Sequence, residues 1–149
     1  MKKPAIIILF SLIFAIFICG CSSTKNAEEE LVINIPDLPQ TSNFYDGNEG
    51  SIASTCRIDS IEVEKQFDQE KKCFQVDLKV SGEKTYVADP EYTEFFSDIT
   101  VRDDSSKMCA ASVSIATDVP AGESFDEVIS FSVLPGQYSI ELTDGNAPQ

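Results

Sequence analysis

After residue 51, apolar and polar side chains alternate along most of this 149-residue chain. The alternation is clearest in four segments, residues 74–80, 112–116, 129–133 and 138–142. A period of two places the apolar side chains on one face of an extended strand, whereas a helix needs a period near 3.6 residues. We therefore predict an all-β fold, an antiparallel sandwich in which each sheet has one wet face.

Turn-forming residues separate the predicted strands. The charged segments 67–72 and 102–107 predict two hairpins, and residues 119–123 predict a turn before the penultimate strand. In residues 134–137, proline presets the first corner of a turn and glycine supplies a positive φ at the second. We expect this last turn to join the final two strands as a hairpin.

The N-terminus has the layout of a signal peptide. A positive start at residues 1–3 precedes an apolar run, residues 5–19, that only Ser11 interrupts. A small residue at the cleavage point completes this layout. The run is too short for an uncleaved membrane anchor, which needs roughly 20 apolar residues. An ordinary secretory signal also wants a small residue three before the cut, where this chain has Ile18.

The end of this segment, Ile18-Cys19-Gly20-Cys21, resembles the lipobox of bacterial lipoproteins. The resemblance implies cleavage before Cys21, attachment of lipid to Cys21, and anchoring on the outer side of a cell membrane or outer membrane. Two or more acyl chains on one cysteine anchor a protein stably. The implied organisation is a signal peptide at 1–20, a lipidated cysteine and acidic flexible tether at 21–50, and a sandwich at 51–149.

The tether prediction comes from composition. Residues 22–30 are polar and acidic, with nothing to bury. Leu31 and Ile33 alternate with other residues, so a short strand could interrupt the tether there. Pro36 and Pro39 end that alternation, because proline lacks the N–H group that strand pairing requires.

Charge excludes some classes of partner. Of 11 basic residues, Lys2 and Lys3 leave with the signal, so nine face 25 acidic residues and the mature net charge is −16. Nucleic-acid binding needs clustered lysine and arginine and is not expected. Such a surface attracts cations and basic partners. The chain has no histidine, which excludes the usual serine and cysteine triads and zinc sites built with histidine.

Three segments near the C-terminus resemble the closing portion of bacterial immunoglobulin-like modules. They are Pro-Ala-Gly-Glu at residues 120–123, followed by residues 128–133 and 138–142. Such modules recur in membrane-anchored surface lipoproteins. The resemblance implies an immunoglobulin-like β-sandwich, and it brings no motif for a catalytic residue.

Three cysteines remain in the mature domain, Cys56, Cys73 and Cys109. An exported protein folds where disulfides form. Cys73 lies in phase with polar Gln75, so it should face water. Cys109 lies in phase with Val113, and Cys56 shares the parity of Ile58, so both should face the core. We predict a Cys56–Cys109 disulfide with Cys73 free; three free thiols are the alternative.

Aromatic residues supply the candidate binding surface. Tyr86, Tyr92, Phe95 and Phe96 lie among acidic residues in a predicted loop, and Phe44-Tyr45 lies in the tether. Loops of a sandwich carry ligand sites, and rings offer contact area at low entropic cost. We favour the simpler interpretation, in which these rings pack the domain's own edge. Residues 46–50 carry too few oxygen ligands in sequence for calcium, and we predict no metal site and no cofactor.

These features predict a lipid-anchored, non-enzymatic envelope protein that presents a binding or structural module outside the membrane. Its partners would be the membrane, through the anchor, and an envelope protein or glycan. One alternative is an accessory subunit of an envelope enzyme or transporter that presents a basic or carbohydrate ligand. Another is a hydrolase that uses carboxylates alone, for which no converging acidic pair is evident in the sequence.

Overall fold

The polypeptide forms two packed β-sheets in the computed structural model, which describes residues 30–47, 50–91 and 94–147. The first sheet has the strand order β1-β8-β5-β6 and the second has the order β2-β3-β4-β7. The predicted all-β sandwich is confirmed. The strands are β1 (Leu31–Asn34), β2 (Gln40–Tyr45), β3 (Ile52–Asp68), β4 (Cys73–Val87), β5 (Glu94–Asp103), β6 (Cys109–Asp118), β7 (Ser124–Val133) and β8 (Gly136–Asp144).

The two N-terminal strands belong to the sandwich. Leu31 is buried, and β1 runs parallel to β8 in the first sheet. The chain then crosses at Pro36–Pro39 and β2 pairs antiparallel with β3 in the second sheet. The predicted tether at 21–50 is therefore wrong in its second part, and the folded unit includes residues well before residue 51. The prolines mark the crossing between the sheets.

Two of the predicted hairpins are confirmed and one is wrong. β3 pairs with β4 and β5 pairs with β6 across the expected turns. The last two strands lie in different sheets, because β7 pairs with β4 and β8 pairs with β5. Residues 134–135 cross the end of the core, and the Tyr138 hydroxyl donates to the Leu134 carbonyl at 3.0 Å. The Pro-Gly signal located a change of direction and did not determine which sheet receives the next strand.

This connectivity bears on the immunoglobulin-like resemblance. In immunoglobulin domains the last two strands share a sheet. Here they face each other across the core. The structure thus shows a β-sandwich, while the immunoglobulin-like likeness continues to rest on the sequence resemblance alone.

The core consists of the inward faces of the alternating strands. The inward phase of β3 changes at a bulge between Ile58 and Ser60, so Cys56 and Ile58 face inward before it and Ile61 after it. Gly82 pairs with Ile58 at this bulge. The backbones approach closely there, because a Cβ at position 82 would be 2.2 Å from the Arg57 carbonyl oxygen. The buried apolar residues are Leu31, Cys56, Ile58, Ile61, Phe74, Val76, Leu78, Val80, Phe95, Ile99, Val101, Ile115, Phe125, Val133, Tyr138 and Ile140.

One edge of the sandwich is closed by backbone contacts at Gly145. Its carbonyl accepts from the Tyr45 N–H at 3.1 Å, and its own N–H donates to the Asn43 carbonyl at 2.9 Å. The rings of Phe44 and Phe96 meet edge to face above it, with centroids 5.5 Å apart. The two sheets are thereby joined where β2 passes the end of β8.

We predict that Gly145→Ala destabilises the fold by about 1–3 kcal/mol, as overpacked sites do. A Cβ at this position would be 2.0 Å from the Phe96 carbonyl oxygen, a backbone atom that cannot move aside. Gly47→Ala is the control, because its Cβ would meet only the flexible amide group of Asn146. Urea unfolding measures both variants, and equal midpoints would contradict the prediction.

Candidate functional site

A cleft of about 510 Å³ opens at one end of the sandwich. At this cleft end β2, β4 and β8 finish, and β3 and β5 begin. Backbone hydrogen bonds shape the rim: the Asp46 N–H donates to the Ser51 carbonyl at 2.8 Å, and the Ala88 N–H donates to Ala53 at 2.8 Å. The lining residues are Phe44, Tyr45, Asp46, Gly47, Ser51, Ile52, Ala53, Ala88, Asp89, Glu94 and Asn146.

The cleft is lined by both acidic and apolar side chains. Asp46, Asp89 and Glu94 supply carboxylates, and no lysine or arginine occurs among the described lining residues. The Phe44 ring and the half-exposed Ile52 supply apolar surface. A concave site lined by one sign of charge concentrates ions of the opposite sign. The cleft therefore favours a ligand that combines positive charge with apolar surface.

Neighbouring strands fix the cleft residues in place. The Asp144 carboxylate accepts from the Asn43 N–H at 2.8 Å and from the Tyr45 hydroxyl at 3.4 Å. The Ser54 hydroxyl, which is buried, donates to the Glu94 carbonyl at 3.1 Å. These contacts tie the start of β5 and the end of β2 to the rigid sheets, so the cleft is largely preformed.

The structure does not bring the predicted aromatic residues together in one loop. Phe95 is fully buried in β5, and Phe96 points outward and contacts Phe44. Tyr86 lies at 49% exposure on β4, in the other sheet. Tyr92 falls outside the described residues. The placement of these residues in one loop is wrong, because Tyr86 lies in β4 and Phe95 and Phe96 lie in β5.

Phe44 and Tyr45 are the aromatic residues that line the cleft. Both were predicted from the sequence as candidates, but in the tether and not in a strand of the sandwich. The in-phase series of Phe95, Ile99 and Val101, all buried, is the signal that assigns Phe95 to the core instead.

Within residues 30–47, 50–91 and 94–147, no three histidine, cysteine, aspartate or glutamate side chains cluster closely enough to hold a metal ion. Asp46, from the loop considered for calcium, lines the cleft. Positions 48 and 49 of that loop lie outside the described residues.

The predicted Cys56–Cys109 disulfide is wrong in the structure, where Cys56, Cys73 and Cys109 are all free. Cys56 is buried in the second sheet, as parity predicted, whereas Cys109 is exposed at the start of β6. A register shift between Val101 and Arg102 places Cys109 opposite Arg102, on the outer face. The bulge reverses the facing that the alternation of β6 predicted.

Cys56 lies beside a second buried polar group, its cross-strand partner Lys84. Burial raises the pKa of the Cys56 thiol to about 12, an effect that the nearby Lys84 partly offsets. Burial likewise lowers the pKa of Lys84, against the opposing influence of Cys56 and Asp118. A thiol needs to ionise to act as a nucleophile, so Cys56 is an inert core residue at neutral pH.

We predict that, in the mature protein with Cys21 lipidated, the thiols of Cys73 and Cys109 react with an aromatic disulfide reagent and that of Cys56 does not. Cys56 is fully buried and its pKa of about 12 keeps it protonated even near pH 9, so it reacts only after unfolding. The measurement is thiol counting with and without denaturant, with Cys56→Ala as the control that loses only the slow thiol. A rapidly reacting Cys56, or a native bridge between any two of these cysteines, would contradict the structure.

The predicted anchor lies outside the described residues. The structure therefore places none of the lipobox residues, Ile18, Cys19, Gly20 or Cys21. In the part of the chain that is described, no helix is long and apolar enough to cross a membrane. Comparison with protein-family models, with curated proteins and with solved structures found no match to this chain.

Proposed function

We propose that the protein is a lipid-anchored, non-enzymatic module of the cell envelope that binds a cationic ligand in the acidic cleft. The observation that carries this proposal is the cleft itself, where Asp46, Asp89 and Glu94 share a wall with Phe44 and Tyr45 and no basic residue occurs among the described lining residues. The mature charge of −16 acts in the same direction over a longer range. A lysine- or arginine-rich segment of an envelope protein matches this chemistry.

The anchor part of the proposal depends on the N-terminal sequence. The charged start, the apolar run and the Ile18-Cys19-Gly20-Cys21 ending support export and lipid attachment at Cys21. The polar residues 22–30 then separate Cys21 from the first strand. The protein would face the extracytoplasmic side of a cell membrane or outer membrane.

Lipid attachment at Cys21 predicts how the protein partitions between detergent and water. We expect the protein from native membranes to partition into the detergent phase on cloud-point separation, and Cys21→Ser to move it to the aqueous phase or leave it unprocessed. Cys19→Ser is the matched control, because it alters the neighbouring cysteine and keeps Cys21. An aqueous wild-type protein, or a Cys21→Ser variant that partitions unchanged, would remove the anchor from the proposal.

Ligand binding is tested by titration with short peptides. A tetralysine peptide with an aromatic residue should bind, and a peptide with glutamate in place of lysine should not. We expect the triple variant Asp46→Asn, Asp89→Asn, Glu94→Gln to bind roughly tenfold more weakly, since an exposed ion pair is worth 0.2–1 kcal/mol. Binding should also weaken as salt screens the charges.

The control for this titration changes the same number of charges elsewhere. Glu62→Gln, Glu70→Gln and Glu127→Gln lie outside the cleft and remove three carboxylates as well. If both triple variants lose affinity equally, the affinity for the peptide depends on the overall negative charge of the protein and not on the cleft. If a neutral oligosaccharide binds and the cationic peptide does not, the proposed cationic ligand is wrong. The alternative, an accessory subunit that presents a carbohydrate ligand, then replaces the proposal.

A further inference from the structure

We infer that the end of the sandwich opposite the cleft rests on the lipid headgroups of the membrane that carries the anchor. This inference rests on the proposed lipidation of Cys21. We call this surface the anchor end and define it by three connections, residues 68–73 between β3 and β4, 103–109 between β5 and β6, and 134–137 between β7 and β8.

Strand register brings these three connections together. Phe74 pairs with Val133, which places the β3–β4 turn beside the end of β7. Asp103 pairs with Tyr138, which places the β5–β6 turn beside the start of β8. A shallow depression between the last two connections is lined by residues of both, including Met108 and Leu134.

The chain from the anchor enters at the same end. The Glu30 carbonyl accepts from the Gly136 N–H at 2.9 Å, and Leu31 pairs with Gly136. The nine residues 22–30 separate Cys21 from β1, and even fully extended they span at most about 30 Å. β3 alone, with 17 residues, is about 55 Å long. The lipid therefore keeps the anchor end close to the membrane and leaves the cleft at the far end.

The anchor end exposes apolar side chains. Met108 is 70% exposed and Leu134 is 64% exposed, more than any other large apolar residue in the described part of the chain. Both lie in connections of this end. At a surface that faces lipid, the transfer of exposed apolar side chains into the interface between headgroups and acyl chains is favourable.

The charge of the anchor end also differs from that of the cleft end. Lys71, Lys72 and Lys107 are exposed in its turns. The turn carboxylates are held by local hydrogen bonds: Asp68 accepts from the Lys71 N–H at 3.0 Å, and Asp103 accepts from the Ser105 N–H at 2.7 Å.

Exposed lysines near a membrane are attracted to anionic headgroups. The three connections carry these three lysines against four acidic residues, Asp68, Glu70, Asp103 and Asp104, and Glu30 adjoins them. The anchor end is thus close to charge balance, whereas the cleft is lined by acids without a described base. An anionic membrane therefore repels the cleft end more strongly than the anchor end, where the exposed lysines attract its headgroups locally.

The test uses the absence of tryptophan from the chain. Met108→Trp places a single fluorophore at the anchor end, Leu134→Trp repeats the placement, and Val128→Trp is the matched control on β7, at a site that is 62% exposed. Full-length lipidated protein is purified from membranes and reconstituted in vesicles of phosphatidylcholine and phosphatidylglycerol that carry headgroup spin labels. We expect quenching several-fold stronger for Trp at 108 and 134 than at 128.

The charge contribution is measured in the same samples. Changing Lys71, Lys72 and Lys107 to glutamine, or replacing phosphatidylglycerol by phosphatidylcholine, should reduce the quenching at position 108. The expected loss of docked population is about fivefold for each lysine removed. The reduction should leave quenching at position 128 unchanged.

Flotation of the vesicles separates the two proposals. Protein that floats with the vesicles but shows equal quenching at positions 108, 134 and 128 is anchored without docking, and this overturns the inference alone. Protein that does not float with the vesicles overturns the lipid anchor and the docking together. Circular dichroism of each variant verifies the fold, and the two independent anchor-end positions guard against a local defect.

Discussion

The structure depends on one segment that pairs with both sheets in succession. Residues of β1 extend the first sheet beside β8, and residues of β2 extend the second sheet beside β3. Leu31 of β1 is buried between the sheets, and the backbone of β2 is hydrogen-bonded to Gly145. The segment therefore contacts both sheets at two separate points along the sandwich. The same segment supplies Phe44 and Tyr45 to the cleft and fixes the point at which the chain enters the sandwich.

The cleft and the anchor end are therefore consequences of a single topology. β1 and then β2 carry the chain from the anchor end to the cleft end, and β8 runs parallel to β1. Lipid attachment at one end would then orient the acidic cleft toward the envelope space. Affinity for a cationic segment and distance from the membrane would be set by the same fold.

Alternation with a period of two was sufficient to predict the sheets, because an apolar face must be buried wherever it occurs in a sandwich. It predicted hairpins whose partners are adjacent in the chain, β3 with β4 and β5 with β6. It failed where a strand crosses between layers, at Pro36–Pro39 and at Pro135, because a turn signal specifies a change of direction and carries no information about the receiving sheet.

Facing of individual side chains was predicted less well, and the cause was bulges. One extra residue reverses the facing of everything beyond it. A register shift beside Val101 turns the Cys109 side chain outward. Another, after Ile58, lets Cys56 and Ile61 both face inward although they differ in strand parity. The cleft was beyond prediction because it joins three chain segments distant in sequence, around Asp46, Asp89 and Asn146.

The parallel pairing of β1 with β8 has a mechanical consequence. If the chain is anchored through Cys21 as proposed, and a ligand held in the cleft is pulled away from the membrane, the load would pass through Glu30 into β1 while the cleft end carries the opposing force. The two strands are then pulled along their length in opposite directions, so the hydrogen bonds between Leu31–Asn34 and β8 are loaded together in shear. The Lys65 ammonium group, which donates to the Leu31 carbonyl, resists the same displacement. Strands loaded in shear resist force with all their hydrogen bonds together, whereas an edge strand pulled away sideways loses its hydrogen bonds one at a time. The module would therefore stay folded under a larger pulling force.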